Sequence, residues 1–337
     1  MRLLLWLVLA LPLLVVWPED TGGSRDVVSQ DPWPGTGAWA DAVLDTLSLD
    51  AKVGQLILTD AHGRPDHLSG GHFRRLTSRV EDYGVGGLLF FRGNANDQAE
   101  LTRRLQQRAA IPLLIAQDME TGAGMRTSGT TRFPNAMALG ATGDPALAYA
   151  MGRGIAAESR VLGIHQNYAP VADLNTNPRN PIINVRAFGA DPRAASRMVI
   201  GYAQGLQDGG VVATLKHFPG HGDTQVDSHA DLPVLPFRRE RLDATEWMPF
   251  REGVAAGVMS VMTGHLALPA LDDRPNSPAS LSKPITTGVL REELGFEGLI
   301  VTDGMNMEGV AKHYAPGAAA VRAVEAGADQ LILTRDE

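Results

Sequence analysis

The residues most able to do chemistry lie in the segment KHFPGHGDTQVDSH, residues 216–229. Lys216 and His217 end the apolar run VVATL. Pro219, Gly220 and Gly222 then oppose helix and favour a loop. Asp227 and His229 are two residues apart. That spacing lets a carboxylate hold one imidazole nitrogen and leaves the other for proton transfer. An imidazole titrates near neutrality, so it can serve as both acid and base. A solvated, inert loop is the plainer alternative on local chemistry alone. A metal site is a third reading, with His217, His221 and His229 as ligands and Asp223 or Asp227 as a fourth. However, His217 and His221 flank Pro219-Gly220, so they are not a helical ligand pair.

Asp303 ends the run GLIVTD and is followed by Gly304. The turn at Gly304 is expected to leave Asp303 on a rim rather than capping its strand. Cleavage of a glycosidic bond needs one group that attacks or stabilises an oxocarbenium-like carbon and another that protonates the leaving oxygen. Asp303 suits the first task and His229 the second. Asp118, after PLLIAQ, can accept hydrogen bonds from sugar hydroxyls, and Arg126 can donate to them. A structural Asp118–Arg126 ion pair is the alternative. Arg186 in NPIINVRAFG and Asp173 in APVADLN fit the same polar rim. The neighbouring Asn175, Asn177, Pro178, Asn180 and Pro181 mark a loop, which they would hold in place.

These side chains need elements that bring them together. Short apolar runs at 56–60, 86–91, 112–118, 164–170, 211–218, 258–265, 298–303 and 329–334 read as strands. Helical stretches fall near 73–83, 96–109, 145–162, 191–209, 239–257, 284–294 and 316–326. Asp144-Pro145 and Asp191-Pro192 are start signals for two of them. Strands alternating with helices imply a parallel sheet, and eight of them imply an α/β fold of the (β/α)8 TIM-barrel type. Asp60, Asp118, Lys216-His217, His265 and Asp303 all end apolar runs. In a barrel such ends share one rim, where active sites are built. The chain stops just after the eighth strand candidate, so the barrel is expected to be truncated there.

The chain has 337 residues, 44% of them apolar, and a formal net charge of -8. It shows no basic run of the kind that marks a nucleic-acid footprint. It has no cysteine, which excludes disulfides, thiolate nucleophiles, Cys-ligated metals and a lipoprotein anchor. Residues 1–17 pair Arg2 with an apolar run shorter than the ~20 residues that span a bilayer comfortably. They read as an export signal, or as an uncleaved membrane tether, since no small-x-small cleavage site stands out. Residues 18–37 read as a Gly/Pro/Ser/Asp-rich linker and 38–337 as the barrel domain.

The segment 216–229 resembles the signature of glycoside hydrolase family 3, in its β-N-acetylhexosaminidase branch, which the terminal Asp-Ser-His marks. The likeness runs from about residue 48 to 334. The resemblance implies a retaining double displacement. Asp303, in VTDGMNMEG, would be the nucleophile, and His229 the acid/base assisted by Asp227. Asp118, Arg126, Arg186, Lys216 and His217 match positions that bind the N-acetylglucosamine unit. It implies no metal and no organic cofactor. The implied partner is a glycan, a muropeptide or chitooligosaccharide; the N-terminal run, not the resemblance, gives the expectation of a periplasmic, membrane-anchored or secreted location. Two departures stand out. The family's Asp-Gln-Glu-Gly-Gly is here DMETG, residues 118–122, which keeps Glu120 but has Thr121 for a glycine. The usual second acid after the nucleophile is Gly304. A noncatalytic sugar-binding protein, and a phosphorylase or transglycosylase on the same barrel, are the competing readings.

Overall fold

A computed structural model describes residues 37–225 and 227–333. The apolar runs form eight parallel strands: β1 (Ile57–Gly63), β2 (Gly87–Asn94), β3 (Leu114–Gln117), β4 (Gln166–Asn167), β5 (Val212–Phe218), β6 (Ser260–Thr263), β7 (Leu299–Thr302) and β8 (Leu331–Leu333). Each pairs with its sequence neighbour from β1 to β7, and β8 returns to pair with β1. A parallel bridge between Val301 and Gln330 closes the ring between β7 and β8. A two-residue strand, Thr127–Ser128, joins the end of β2 as an extra.

Two apolar layers follow from the period-2 alternation of strands. Leu58, Leu89, Ala116, Tyr168, Met262, Val301 and Ile332 fill the barrel interior. Residues such as Leu88, Ile115, Ala213 and Ile300 face outward, in the larger core shared with the helices. Inside the barrel Gln166 donates to the hydroxyls of Thr214 (3.3 Å) and Ser260 (3.1 Å), a polar peg joining three strands.

The helices start where their signals stand. Asp144 accepts from the N–H of Ala146 at 2.9 Å and Asp191 from Ala194 at 2.7 Å, and a proline follows each cap. Such caps contribute about 1 kcal/mol each. The stretch expected as one helix over 239–257 is two, Arg239–Ala244 and Met248–Ala255. Pro249 has no N–H to give and its ring opposes a helical carbonyl four residues back, so the chain restarts. Pro284–Glu293 winds as a π-helix. Two helices not foreseen, Gly37–Thr46 and Leu49–Gln55, precede β1. The second is capped by Ser48, whose hydroxyl accepts from Ala51. The expected export segment and nearly all of the expected linker lie outside the described residues; only Gly37, which opens a helix, falls within them. The expected truncation concerns residues beyond Leu333, also outside them. Among the described residues no helix is long and apolar enough to cross a membrane.

Candidate active site

The C-terminal ends of the strands surround a cavity of about 370 Å³. Asp118, Arg126, Arg186, Lys216, His217, His229 and Asp303 all line it. Asp227 stands behind His229. A depression of about 740 Å³ opens near the N-terminal ends of β1 and β2, lined by the helix before β1 and neighbouring turns, with Asp50, Glu81 and Asp82 as its charged residues. Convergent chemistry, not volume, distinguishes the smaller one.

One wall is a buried ion cluster. Lys216, at the end of β5, places its Nζ 2.7 Å from Asp118 Oδ1 and 2.8 Å from Glu120 Oε1. Arg186 donates two hydrogen bonds to Glu120, Nη2 to Oε1 at 2.8 Å and Nε to Oε2 at 3.0 Å. Arg126 donates to Asp118 at 3.4 Å and lies over the ring of Phe91. Burial works against the charges of Lys216, Glu120 and Arg186, but their partners outweigh it. Lys216 is held above the usual ammonium range and Glu120 well below the usual carboxylate range. The loop carrying Glu120 is clamped by its neighbours. Tyr202 donates to the carbonyls of Met119 and Glu120, at 3.0 and 3.1 Å. Asn167 accepts from the N–H of Met119 at 2.9 Å.

His217 is oriented by Asp173, which takes its Nδ1–H at 2.7 Å. Asp173 also accepts the N–H groups of His217 (3.1 Å) and His221 (2.6 Å). Burial raises the Asp173 carboxyl, but the two histidines bring it below its ordinary value. The Lys216–His217 peptide is cis, as is Phe218–Pro219. The following loop needs its glycines. Gly220 has φ of +120°, and a Cβ on Gly222 would meet the Leu174 carbonyl at 1.6 Å. Asn180 donates to the His221 carbonyl at 2.8 Å, so the Asn/Pro loop does hold this segment.

Of the three histidines offered as metal ligands, His221 has both ring nitrogens engaged, and the other two have Nδ1 engaged. His217 Nδ1 belongs to Asp173 and His229 Nδ1 to Asp227. Thr224 gives its hydroxyl hydrogen to the His221 carbonyl, so His221 Nδ1–H donates to Thr224 (2.7 Å) and Nε2 accepts from Ser228 (3.1 Å). Burial, then the charge of His217, lowers His221 to about 4, so it is neutral in this role. No group of three His, Asp or Glu able to hold a metal ion occurs among the described residues.

Asp303 follows β7, and its N–H donates to the Thr263 carbonyl at 2.9 Å. Its Oδ1 accepts from the N–H of Gly304 at 2.8 Å. Burial pushes this carboxyl up, but His217, then His265, the Gly304 N–H and His229 hold it at about 2. His265 is buried behind it. The Gly304 carbonyl can only accept, so His265 Nε2–H donates to it (2.9 Å) and Nδ1 accepts from Ser280 (2.8 Å). His229 is the exposed member. Its Nδ1 lies 2.7 Å from Asp227 Oδ1, which also accepts the His229 N–H at 2.9 Å. Burial raises Asp227, but these bonds leave it below its ordinary value. Nδ1–H therefore donates, and Nε2 is the atom left to exchange a proton.

Asp60, expected on the same rim, does not line the cavity. It is buried beside Thr59 and accepts from Arg79 at 3.0 Å, a structural ion pair. Glu120, which the sequence reading left without a role, is the centre of the ion cluster. Its signal was a carboxylate two residues past a strand-end aspartate.

A carboxylate and an imidazole beside a buried, ion-paired wall, at the C-terminal mouth of a parallel barrel, suit a glycosidase-type barrel. The chain belongs to glycosyl hydrolase family 3: it matches the N terminal domain of that family over residues 48–337. It is 37% identical over 282 residues to "Beta-hexosaminidase A" of Pseudoalteromonas piscicida, covering 77% of this chain and 47% of that one. To "Beta-hexosaminidase" of Nitrosospira multiformis it is 35% identical over 259 residues, 74% of this chain and 73% of that one. Among solved structures it resembles a family 3 beta-N-acetylglucosaminidase from Paenibacillus sp., with 43% identity, a TM-score of 0.81 and coverage of 86% and 55%. It also resembles a beta-glucoside phosphorylase, with 30% identity, a TM-score of 0.82 and coverage of 89% and 54%. The chain spans about half the length of the first relatives it matches.

Proposed function

We propose that this protein is a retaining exo-β-N-acetylhexosaminidase that removes nonreducing terminal β-linked N-acetylglucosamine. The observation that carries the reading is the pairing, across one cavity, of an ionised Asp303 with a carboxylate-held His229. The relatives' names support the sugar. Asp118, Arg126, Arg186, Lys216 and His217 bind the sugar's hydroxyls. An Asp303 oxygen attacks the anomeric carbon as the bond to the leaving oxygen breaks, and the imidazolium of His229 gives that oxygen its Nε2 proton. Water then attacks the glycosyl-enzyme, passes a proton to His229 and frees Asp303. Asp227 stabilises the imidazolium and fixes its tautomer. A neutral imidazole, unlike a second carboxylate, adds no negative charge beside Asp303.

The test is incubation of the full chain with an aryl β-N-acetylglucosaminide, followed by proton NMR. Release of N-acetylglucosamine first as the β-anomer is expected. First release as the α-anomer would sink the double displacement, and binding of the sugar without turnover would leave a noncatalytic sugar-binding protein. The phosphorylase relative favours a second reading, transfer to phosphate, because a histidine acid/base does not repel an incoming anion. Formation of a sugar phosphate at the expense of free sugar when phosphate is added would establish it. For the natural substrate we infer muropeptides or chitooligosaccharides, met outside the cytoplasm because of the export-like residues 1–17. Side-by-side product analysis on a muropeptide and chitobiose, with cell fractionation, tests both.

A further inference from the structure

Tyr168 follows β4 directly, and its N–H donates to the Gln117 carbonyl at 3.0 Å, so the β3–β4 pairing runs on through it. Its side chain turns into the barrel, fully buried among Leu89, Ala116, Met262 and Val301. It also forms part of the cavity wall. The phenolic hydroxyl is buried and has no hydrogen-bond partner among the described residues. The second fully buried tyrosine shows what is ordinary: Tyr202 donates to two carbonyls. A buried hydroxyl without a partner destabilises the fold relative to phenylalanine of the same shape. The apolar neighbours of Tyr168 offer nothing to bond. Burial, then the charges of Asp118 and Asp303, push the phenol well up, so it remains a neutral donor at physiological pH within reach of both carboxylates' fields.

We propose that the Tyr168 hydroxyl is a substrate-binding group on the cavity floor, donating a hydrogen bond to a ring hydroxyl of the bound hexosamine between Asp118 and Asp303. This deepens the sugar-site reading given above and rests on it. The hydroxyl then makes the floor selective for sugars that carry that ring hydroxyl. An apolar floor would accept the deoxy sugar equally well, whereas a floor with a buried donor leaves it unpaired.

The test is Tyr168→Phe in the full chain. Kinetics on an aryl β-N-acetylglucosaminide and on its 3-deoxy, 4-deoxy and 6-deoxy analogues are measured beside the melting temperature. The variant is expected to melt at the same or a higher temperature. Its kcat/KM on the parent sugar should fall roughly tenfold or more. For one deoxy analogue the two proteins should become equal within about twofold, because the lost partner is the same. Parent activity within about twofold of wild type, or identical deoxy penalties in both proteins, overturns the proposal. A wild-type chain that cleaves no aryl glycoside breaks the glycosidase reading instead. Calorimetry with N-acetylglucosamine then decides Tyr168 alone: weaker binding by the variant supports it, and equal binding overturns it.

Discussion

The two walls of the cavity are built on opposite physical terms. On the ion-paired wall Lys216 and Glu120 are 3% and 8% exposed in their side chains. On the other, His229 and Asp227 are 61% and 35% exposed. In the first, Asp118 and Glu120, just past β3, meet Lys216 of β5 and Arg126 and Arg186 of two loops, so each charge is held by the others. Lys216 and Glu120 are shielded from water, and charge-assisted bonds at such a site are strong and directional. In the second, one oxygen of Asp227 accepts both the Nδ1–H and the backbone N–H of His229 on a Gly/Pro loop. An imidazole this exposed can trade protons with solvent as well as with a leaving group. On the proposed reading, recognition falls to the more buried wall and proton transfer to the exposed one, and Asp303, the proposed nucleophile, lines the same cavity.

The sharpest way to break this picture is Asp303→Asn. Turnover should fall on the order of 10⁴-fold while sugar binding survives. Steady-state rates with binding calorimetry check this, and near wild-type turnover would remove Asp303 from the nucleophile's place. Next, His229→Ala should lower kcat by roughly 10²–10³-fold and flatten the pH–rate profile. Stability should hold within about 0.5 kcal/mol, since the side chain is mostly in water. An unchanged pH profile would exclude it as the acid/base. Glu120→Ala should act in reverse, costing about 3–5 kcal/mol by leaving Lys216 and Arg186 undercompensated in a buried site. Urea denaturation reads this directly, and a loss below about 1 kcal/mol would mean the dry wall is not held by its ions.

The pH dependence of stability should separate two windows. His221 lies at about 4 in the fold, and His265 is also lowered, both chiefly by burial. A histidine with a depressed folded pKa is protonated first in the unfolded chain. Stability should therefore decline as pH falls from about 6.5, with the His221 share of the loss complete near 4. The lowered carboxyls of Asp303, Glu120 and Asp173 contribute stability above their ordinary range that is lost on further acidification, for Asp303 down to about 2. Urea midpoints across this range check both windows. In His221→Asn the decline between about 6.5 and 4 should shrink, and an unaltered slope would exclude His221 as a source. The smallest effect concerns Asp227→Asn, where stability should move by no more than about 0.5 kcal/mol while turnover falls. A drop of several degrees in melting temperature would mean the exposed dyad also holds the loop.

Much of this arrangement is legible in the order of residues. The eight strands stand where the apolar runs are, because burial on both faces demands continuous apolar sequence at those positions. Asp144-Pro145 and Asp191-Pro192 begin helices because capping is local chemistry. Asp227 and His229 meet because two residues of loop suffice to join them. The break at Pro249 was equally local, but a continuous amphipathic pattern masked it.

What lay beyond the sequence are the partners brought from afar. Lys216 reaches Asp118 across 98 positions, and Arg186 reaches Glu120 across 66. Asp60 ends an apolar run as Asp118 does, yet β1 runs on past it to Gly63, and a helix arginine pairs with it. Tyr168 and Tyr202 are the same residue type, and only the tertiary structure gives one hydroxyl two acceptors and the other none. Residue types, strand ends and short-range pairs follow from the sequence because their physics acts within a few residues. Which strand ends face one another, and which charges share a dry site, was decided by closure of the ring, since only closure brings groups so distant along the chain within bonding range.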